Sequence, residues 1–74
     1  MIKNISVVGL GKLGASMVAG FAEVGFNVIG YDILEKSVNA LNNGDAPVEE
    51  TDLDAYIKRN KSKIRASSNL ESVI

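Results

Sequence analysis

Two kinds of apolar run alternate along this chain, short β-branched ones and longer ones spaced like a helix. Ile2, Ile5, Val7 and Val8 form the first, which stops at Gly9 and predicts a buried parallel strand over Ile2 to Val8. From Lys12 to Val24 the residues Leu13, Met17, Val18, Phe21, Ala22 and Val24 recur at helical spacing, and Gly25 supplies a left-handed stop. Phe26 to Tyr31 is again short and β-branched, through Val28 and Ile29, and it ends at Asp32 as a second strand. A second helix is expected from about Glu35 to Asn42, with Val38 and Leu41 inward and its close at Asn43-Gly44. Asp45 to Glu50 reads as a loop around the sole proline, Pro47. Thr51-Asp52-Leu53-Asp54 then resembles a capping box and opens a third helix, polar and peripheral, reaching about Asn60. Lys63 to Ala66 fits a short third strand, and Ser68 or Asn69 is placed to cap a last helical turn, Leu70 to Ile74.

Strands alternating with helices are satisfied by an α/β fold with a parallel sheet and right-handed crossovers. Its strands are expected in the order 3-2-1, which leaves the first strand with a bare, self-associating edge. At 74 residues the chain is shorter than the ~100–150 typical of an independent domain, so it is expected to be a piece of something larger. Its apolar fraction of 46% and charged fraction of 23% are those of a folding chain.

Charge and residue usage narrow the function further. A net charge of -1 gives no long-range field to recruit nucleic acid or an acidic membrane, so neither is expected as a partner. Acidic residues between Asp45 and Asp54 are followed by basic ones between Lys58 and Arg65, the order that suits the dipole of a solvated helix. With no cysteine and no histidine, disulfides, thiolate chemistry, imidazole bases and Cys/His zinc sites are excluded within these residues. No metal site and no catalytic residue is expected. The longest uncharged stretch, Leu13 to Ala22, falls short of the ~20 residues of a membrane span. The start does not read as a signal peptide, and a cytoplasmic location is the default expectation.

The chemistry-bearing motif is Gly9-Leu10-Gly11-Lys12-Leu13-Gly14, a G-x-G-x-x-G that leaves a strand and opens a helix. Asp32 ends the next strand, 18 residues after Gly14. In this context the motif predicts a dinucleotide site on a partial, three-layer Rossmann fold, truncated after its third strand. Gly9 permits the tight turn, Gly11 admits a pyrophosphate to the backbone, and Gly14 lets helix and strand pack closely. Amides at the helix start and the positive end of its dipole hold the anion, with Lys12 adding attraction or simply standing in solvent. Asp32 is placed to accept the adenosine ribose hydroxyls and to repel the extra phosphate of NADP, which makes NAD the expected cofactor. The same residue is also a candidate cap for the helix that follows. Lys36, one turn on, faces either the cofactor or water.

These residues also carry a family resemblance. Ile5 to Gly14, Phe26 to Ile33, Leu41 to Glu50 and Ile64 to Ser68 resemble the N-terminal part of the UDP-glucose/GDP-mannose 6-dehydrogenases, the nucleotide-sugar dehydrogenases. The segment Asn42-Asn43-Gly44-Asp45-Ala46-Pro47 is the diagnostic one, since Rossmann domains in general lack it. The resemblance implies NAD binding by Gly9, Gly11, Gly14 and Asp32, with Ser67 where a cofactor-contacting threonine is usual; Lys12, Leu13 and Lys36 complete the candidate cofactor-binding residues. Lys12 stands in place of the usual tyrosine, Ser37 in place of a common lysine, and Thr51-Asp52 in place of Pro-Gly. It further implies two NAD-dependent hydride transfers that convert a sugar C6 alcohol to a carboxylate through a cysteine-bound intermediate. That cysteine, the lysine assisting it and the nucleotide-sugar site would lie in the remainder of a homo-oligomeric parent, and residues 1–74 alone are expected to be inactive. Two other parentages share this opening: enzymes resembling 3-hydroxyisobutyrate or 6-phosphogluconate dehydrogenases, and a nucleotide-sensing module that performs no chemistry.

Overall fold

The expected alternation is present in the computed structural model, which describes residues 3–72. Its elements are β1 (Asn4–Val8), α1 (Lys12–Glu23), β2 (Asn27–Tyr31), α2 (Glu35–Asn42), α3 (Leu53–Arg59) and β3 (Ile64–Ser67). Short 3-10 turns lie at Lys61–Lys63 and Leu70–Ser72, and Asn69 caps the latter by accepting the Glu71 amide at 3.0 Å. The expected strand start at Ile2, and Val73 and Ile74 of the last turn, lie outside the described residues. All three strands are parallel and lie in the order β1-β2-β3, the 3-2-1 order read from the other edge.

The register explains which side chains are covered. Ile5, Val28 and Ile64 stand side by side, as do Val7, Gly30 and Ala66, and these rows meet the helices. Ser6, Ile29 and Arg65 lie on the opposite face, with Ser6 and Arg65 exposed. Among the described residues the helices therefore supply one covering layer, so two of the three layers of the expected architecture are present. This differs from the reading of β1 as a buried strand: Val7 is buried, whereas Val8 is 63% exposed.

Helix α1 also differs from its sequence pattern. Its buried residues are Ala15, Val18, Ala19 and Ala22, while Leu13, Met17 and Val24 stand exposed. Close approach of the helix to the sheet leaves room only for small side chains beneath it. Leu13 and Met17 are directed sideways, beside Val8 of β1, and Val24 borders the groove between α1 and α3. The helix ends as predicted: Gly25, at φ +107°, donates to the Ala22 carbonyl, and Phe26 donates to that of Phe21. The Phe21 and Phe26 rings meet edge to face across this stop, with centroids 5.8 Å apart.

Helix α3 departs further from expectation. No capping box forms, because Asp52 enters the helix in a left-handed conformation without a side-chain cap bond. Asp54 instead accepts the Ala46 amide at 2.9 Å, pinning the preceding loop. Nor is the helix peripheral, since Leu53 and Ile57 are buried in the same core as β1, α1 and β2. At its far end Arg59 makes two bonds to the Glu23 carboxylate, which Asn60 also reaches at 2.8 Å. This ties α3 to the end of α1. The outer edge of β3 is closed by Asn42, whose side chain both accepts from Ala66 N–H and donates to its carbonyl.

Candidate functional site

Because Val8, Tyr31 and Ser67 are level in the register, the three strands end together. The glycine turn, Asp32 and the segment after β3 thus emerge at one edge, the carboxyl edge of a parallel sheet, where α/β folds bind ligands.

The turn is built mainly from backbone. Gly9, at φ +95°, bends the chain sharply, and its amide donates to the Tyr31 carbonyl at 2.7 Å. Gly11 precedes α1 as its N-cap but offers no side chain, and the first bond back into the helix runs from the Ala15 amide to the Gly11 carbonyl. Amides of Lys12, Leu13 and Gly14 belong to the helix start, where N–H groups lack intrahelical acceptors and the dipole is positive. Gly14 is sterically obligatory. A Cβ there would overlap the Gly9 carbonyl oxygen and stand 2.8 Å from its carbon. Gly11 is different: its φ of -70° suits any residue, and a Cβ would have no atom of the chain within 4 Å. Nothing internal to the fold demands glycine at that position.

Asp32 stands against the turn. Its Oδ2 accepts the Leu10 amide at 2.8 Å, and its Oδ1 accepts the Leu34 amide at 2.9 Å. These bonds, the Leu34 one foremost, hold the Asp32 carboxyl below its ordinary range, so it is an anion at neutral pH. A carboxylate has about four acceptor positions, so the Leu10 and Leu34 amides do not exhaust it. Asp32 therefore faces the turn and also bends the chain ahead of α2 by accepting the Leu34 amide; it is not the helix cap that the sequence also allowed, because the N-cap of α2 is Leu34 and no side-chain cap bond forms.

The other expected residues are less engaged. Leu13 is 75% exposed beside the turn, in a recess shared with Val8, Gly9, Gly11 and Met17. Lys12 pairs with Glu50 at 3.3 Å and is largely in solvent, joining the start of α1 to the loop before α3. Lys36 is exposed on the first turn of α2, and among the described residues it makes no bond to the turn or to Asp32. Ser67 ends β3, its carbonyl accepting the Asp32 amide at 3.3 Å and its Oγ accepting the Asn69 amide at 3.0 Å.

Two residues that the sequence reading assigned no role prove central. Leu10 is 1% exposed, its side chain lying over Gly30 of β2. A glycine inside a strand signals close approach by another group, which was the available clue. Among the described residues no helix is long and apolar enough to cross a membrane, and no group of three or more His, Cys, Asp or Glu is placed to hold a metal.

Residues 3–74 match the UDP-glucose/GDP-mannose dehydrogenase family, NAD binding domain. A UDP-N-acetyl-D-mannosamine dehydrogenase of Methanococcus vannielii is 46% identical over 57 residues, covering 77% of this chain and 13% of that protein. A UDP-glucose 6-dehydrogenase of Haloferax volcanii is 34% identical over 72 residues, covering 96% of this chain and 17% of the relative. Among solved structures, a UDP-glucose dehydrogenase from Pyrobaculum islandicum superposes with a TM-score of 0.90 at 29% identity, over 99% of this chain and 17% of that one. The chain spans no more than 17% of the length of any of these three relatives. Of the parentages that the sequence allowed, the family match supports the nucleotide-sugar one.

Proposed function

This chain belongs to the UDP-glucose/GDP-mannose dehydrogenase family through its NAD-binding domain, and we propose that the glycine turn and Asp32 grip the adenosine diphosphate half of NAD. In this reading the amides of Gly11 to Gly14 receive the pyrophosphate, and Asp32 accepts the ribose hydroxyls while repelling a 2′-phosphate. Ser67 borders the same edge. Lys12 and Lys36 contribute attraction through solvent, a smaller part.

One observation carries the proposal: Gly11 is a glycine that the fold does not require. With an ordinary φ and open space around it, its missing Cβ is explained by a ligand that must come close to the backbone. Gly14, by contrast, is explained by packing alone.

When bound, NAD supplies the hydride acceptor of the parent dehydrogenase. These residues bind and orient it, and the oxidation of a UDP- or GDP-sugar alcohol falls to groups outside 1–74, since this stretch has no cysteine. The nucleotide-sugar site and the contacts between subunits are assigned to the same remainder, and the chain alone is expected to be inactive.

Titration of the 15N-labelled chain with NAD and with NADP tests this. Amide shifts confined to 9–14 and 32–34, with NAD the tighter ligand, are expected. Asp32→Asn should narrow the preference for NAD over NADP. Tighter NADP binding by the unsubstituted chain, or shifts centred elsewhere, would reject the site.

A further inference from the structure

We infer that Leu10 and Gly30 are positioning residues that key the glycine turn to β2, so that the pyrophosphate and ribose halves of the site move as one unit. The inference rests on the reading of the turn and Asp32 as the nucleotide site.

Three contacts fasten the turn to the end of β2. The Gly9 amide donates to the Tyr31 carbonyl at 2.7 Å, and the Leu10 amide donates to the Asp32 carboxylate at 2.8 Å. The third is steric: the Leu10 side chain fills the notch left by the absent side chain of Gly30. A Cβ on Gly30 would stand 2.7 Å from Leu10 Cδ2 and 3.4 Å from Leu41 Cδ2. A flexible side-chain end could ordinarily swing away from such a contact. Here Leu10 and Leu41 are each 1% exposed and belong to the core cluster, where close packing resists such a swing. The displacement must pass to the Leu10 backbone, and that backbone is what bonds Asp32.

Consequently a methyl group added on β2, beneath the turn, should disturb both ends of the bound nucleotide without touching it. Gly11 follows Leu10 directly, so its amide shifts with the turn. Asp32 loses its bond from Leu10 and with it the orientation that offers its other lone pairs to the ribose.

The test uses the 74-residue chain, 15N-labelled and titrated with ADP. Gly30→Ala should weaken ADP by about tenfold, the scale of one lost charge-assisted hydrogen bond. It should also move the Leu10 amide resonance, whose position reports the carboxylate bond. Adding Leu10→Val, which removes one methylene and makes room, should recover most of the affinity and return that resonance toward its original place. A merely structural role would lower the melting temperature and leave both readouts alone. A folded Gly30→Ala chain with ADP affinity within twofold of the unsubstituted chain, and an unmoved Leu10 amide, would overturn the inference. If Gly30→Ala does not fold, Leu10→Val alone decides: it should loosen the plug and weaken ADP severalfold, and unchanged affinity refutes. Failure of the unsubstituted chain to bind ADP strikes at the site itself; binding indifferent to Gly30 strikes only at the keyed turn.

Discussion

Replacing Gly11 and Gly14 by alanine, one at a time, should separate binding from folding. At Gly11 the new methyl meets no atom within 4 Å, and the backbone angle is one alanine readily adopts. Loss of unfolded-state freedom favours the variant by about 0.4–1 kcal/mol, whereas alanine is a poorer N-cap than glycine by a similar amount. Stability should therefore stay within about 1 kcal/mol, a melting shift of no more than roughly 8 °C for a chain this small. Nucleotide affinity should not survive as well. A methyl in front of the turn denies the phosphate at least one amide, costing about 1.5–3 kcal/mol, or roughly 10- to 150-fold in Kd. Gly14→Ala has the opposite signature. Its methyl overlaps backbone atoms of Gly9, which no rotamer change relieves, so α1 must back away from the turn. That should cost about 3 kcal/mol, a large share of the roughly 4–11 kcal/mol expected for 74 residues. Circular-dichroism melts and ADP titrations on both variants give the four numbers needed. A Gly11→Ala chain that binds ADP like its parent, or a Gly14→Ala chain equally stable, would refute the reasoning.

Other consequences follow from the packing and the charges. Ile57→Ala, at a fully buried position of α3, should cost about 2–5 kcal/mol in urea unfolding, and a loss under 1 kcal/mol would return α3 to the periphery. Asn42→Ala removes both bonds to Ala66 and should cost about 1–3 kcal/mol while baring the β3 edge, seen as concentration-dependent association by light scattering. The carboxyls of Asp32, Asp54 and Glu23 are held below their ordinary range, respectively by the Leu34 and Leu10 amides, by the Ala46 amide and Lys58, and by Asn60 and Arg59. Depressed folded values stabilise above the unfolded ones, ~3.9 for Asp and ~4.3 for Glu, and that stability is lost as pH falls through the folded values. Melting temperature should accordingly be flat down to about pH 5 and drop below about pH 4. Asp32→Asn should soften the drop, and an unchanged acid profile in that variant would contradict the part given to Asp32.

What could be read from the sequence, and what could not, divides along one physical line. Features fixed by neighbours in the chain were legible: the positive-φ stop at Gly25, the span of α2, the turn at Gly9 and the acid ending β2 all stand where the pattern put them. Features fixed by distant partners were not. Asp54 looked like half of a capping box because it follows Thr51 by three residues, yet it answers to Ala46 and Lys58. Leu13, Met17 and Val24 looked like the inner stripe of α1 because hydrophobic periodicity weighs large side chains. The approach that Gly14 permits selects smaller ones, so Ala15 and Ala19 are buried alongside Val18 and Ala22, the two that the pattern did include. The same approach accounts for the exposure of Leu13 and Met17: they lie on the side of β1 away from β2, beside Val8, as an apolar strip. Gly30 shows the limit most clearly. As a letter in a strand it is only a weak point, and it gains a purpose once Leu10, twenty residues earlier, is seen to lie across it and hand its amide to Asp32. The spacing of the glycines announces a tight turn, and its contacts with the end of β2 appear only in three dimensions.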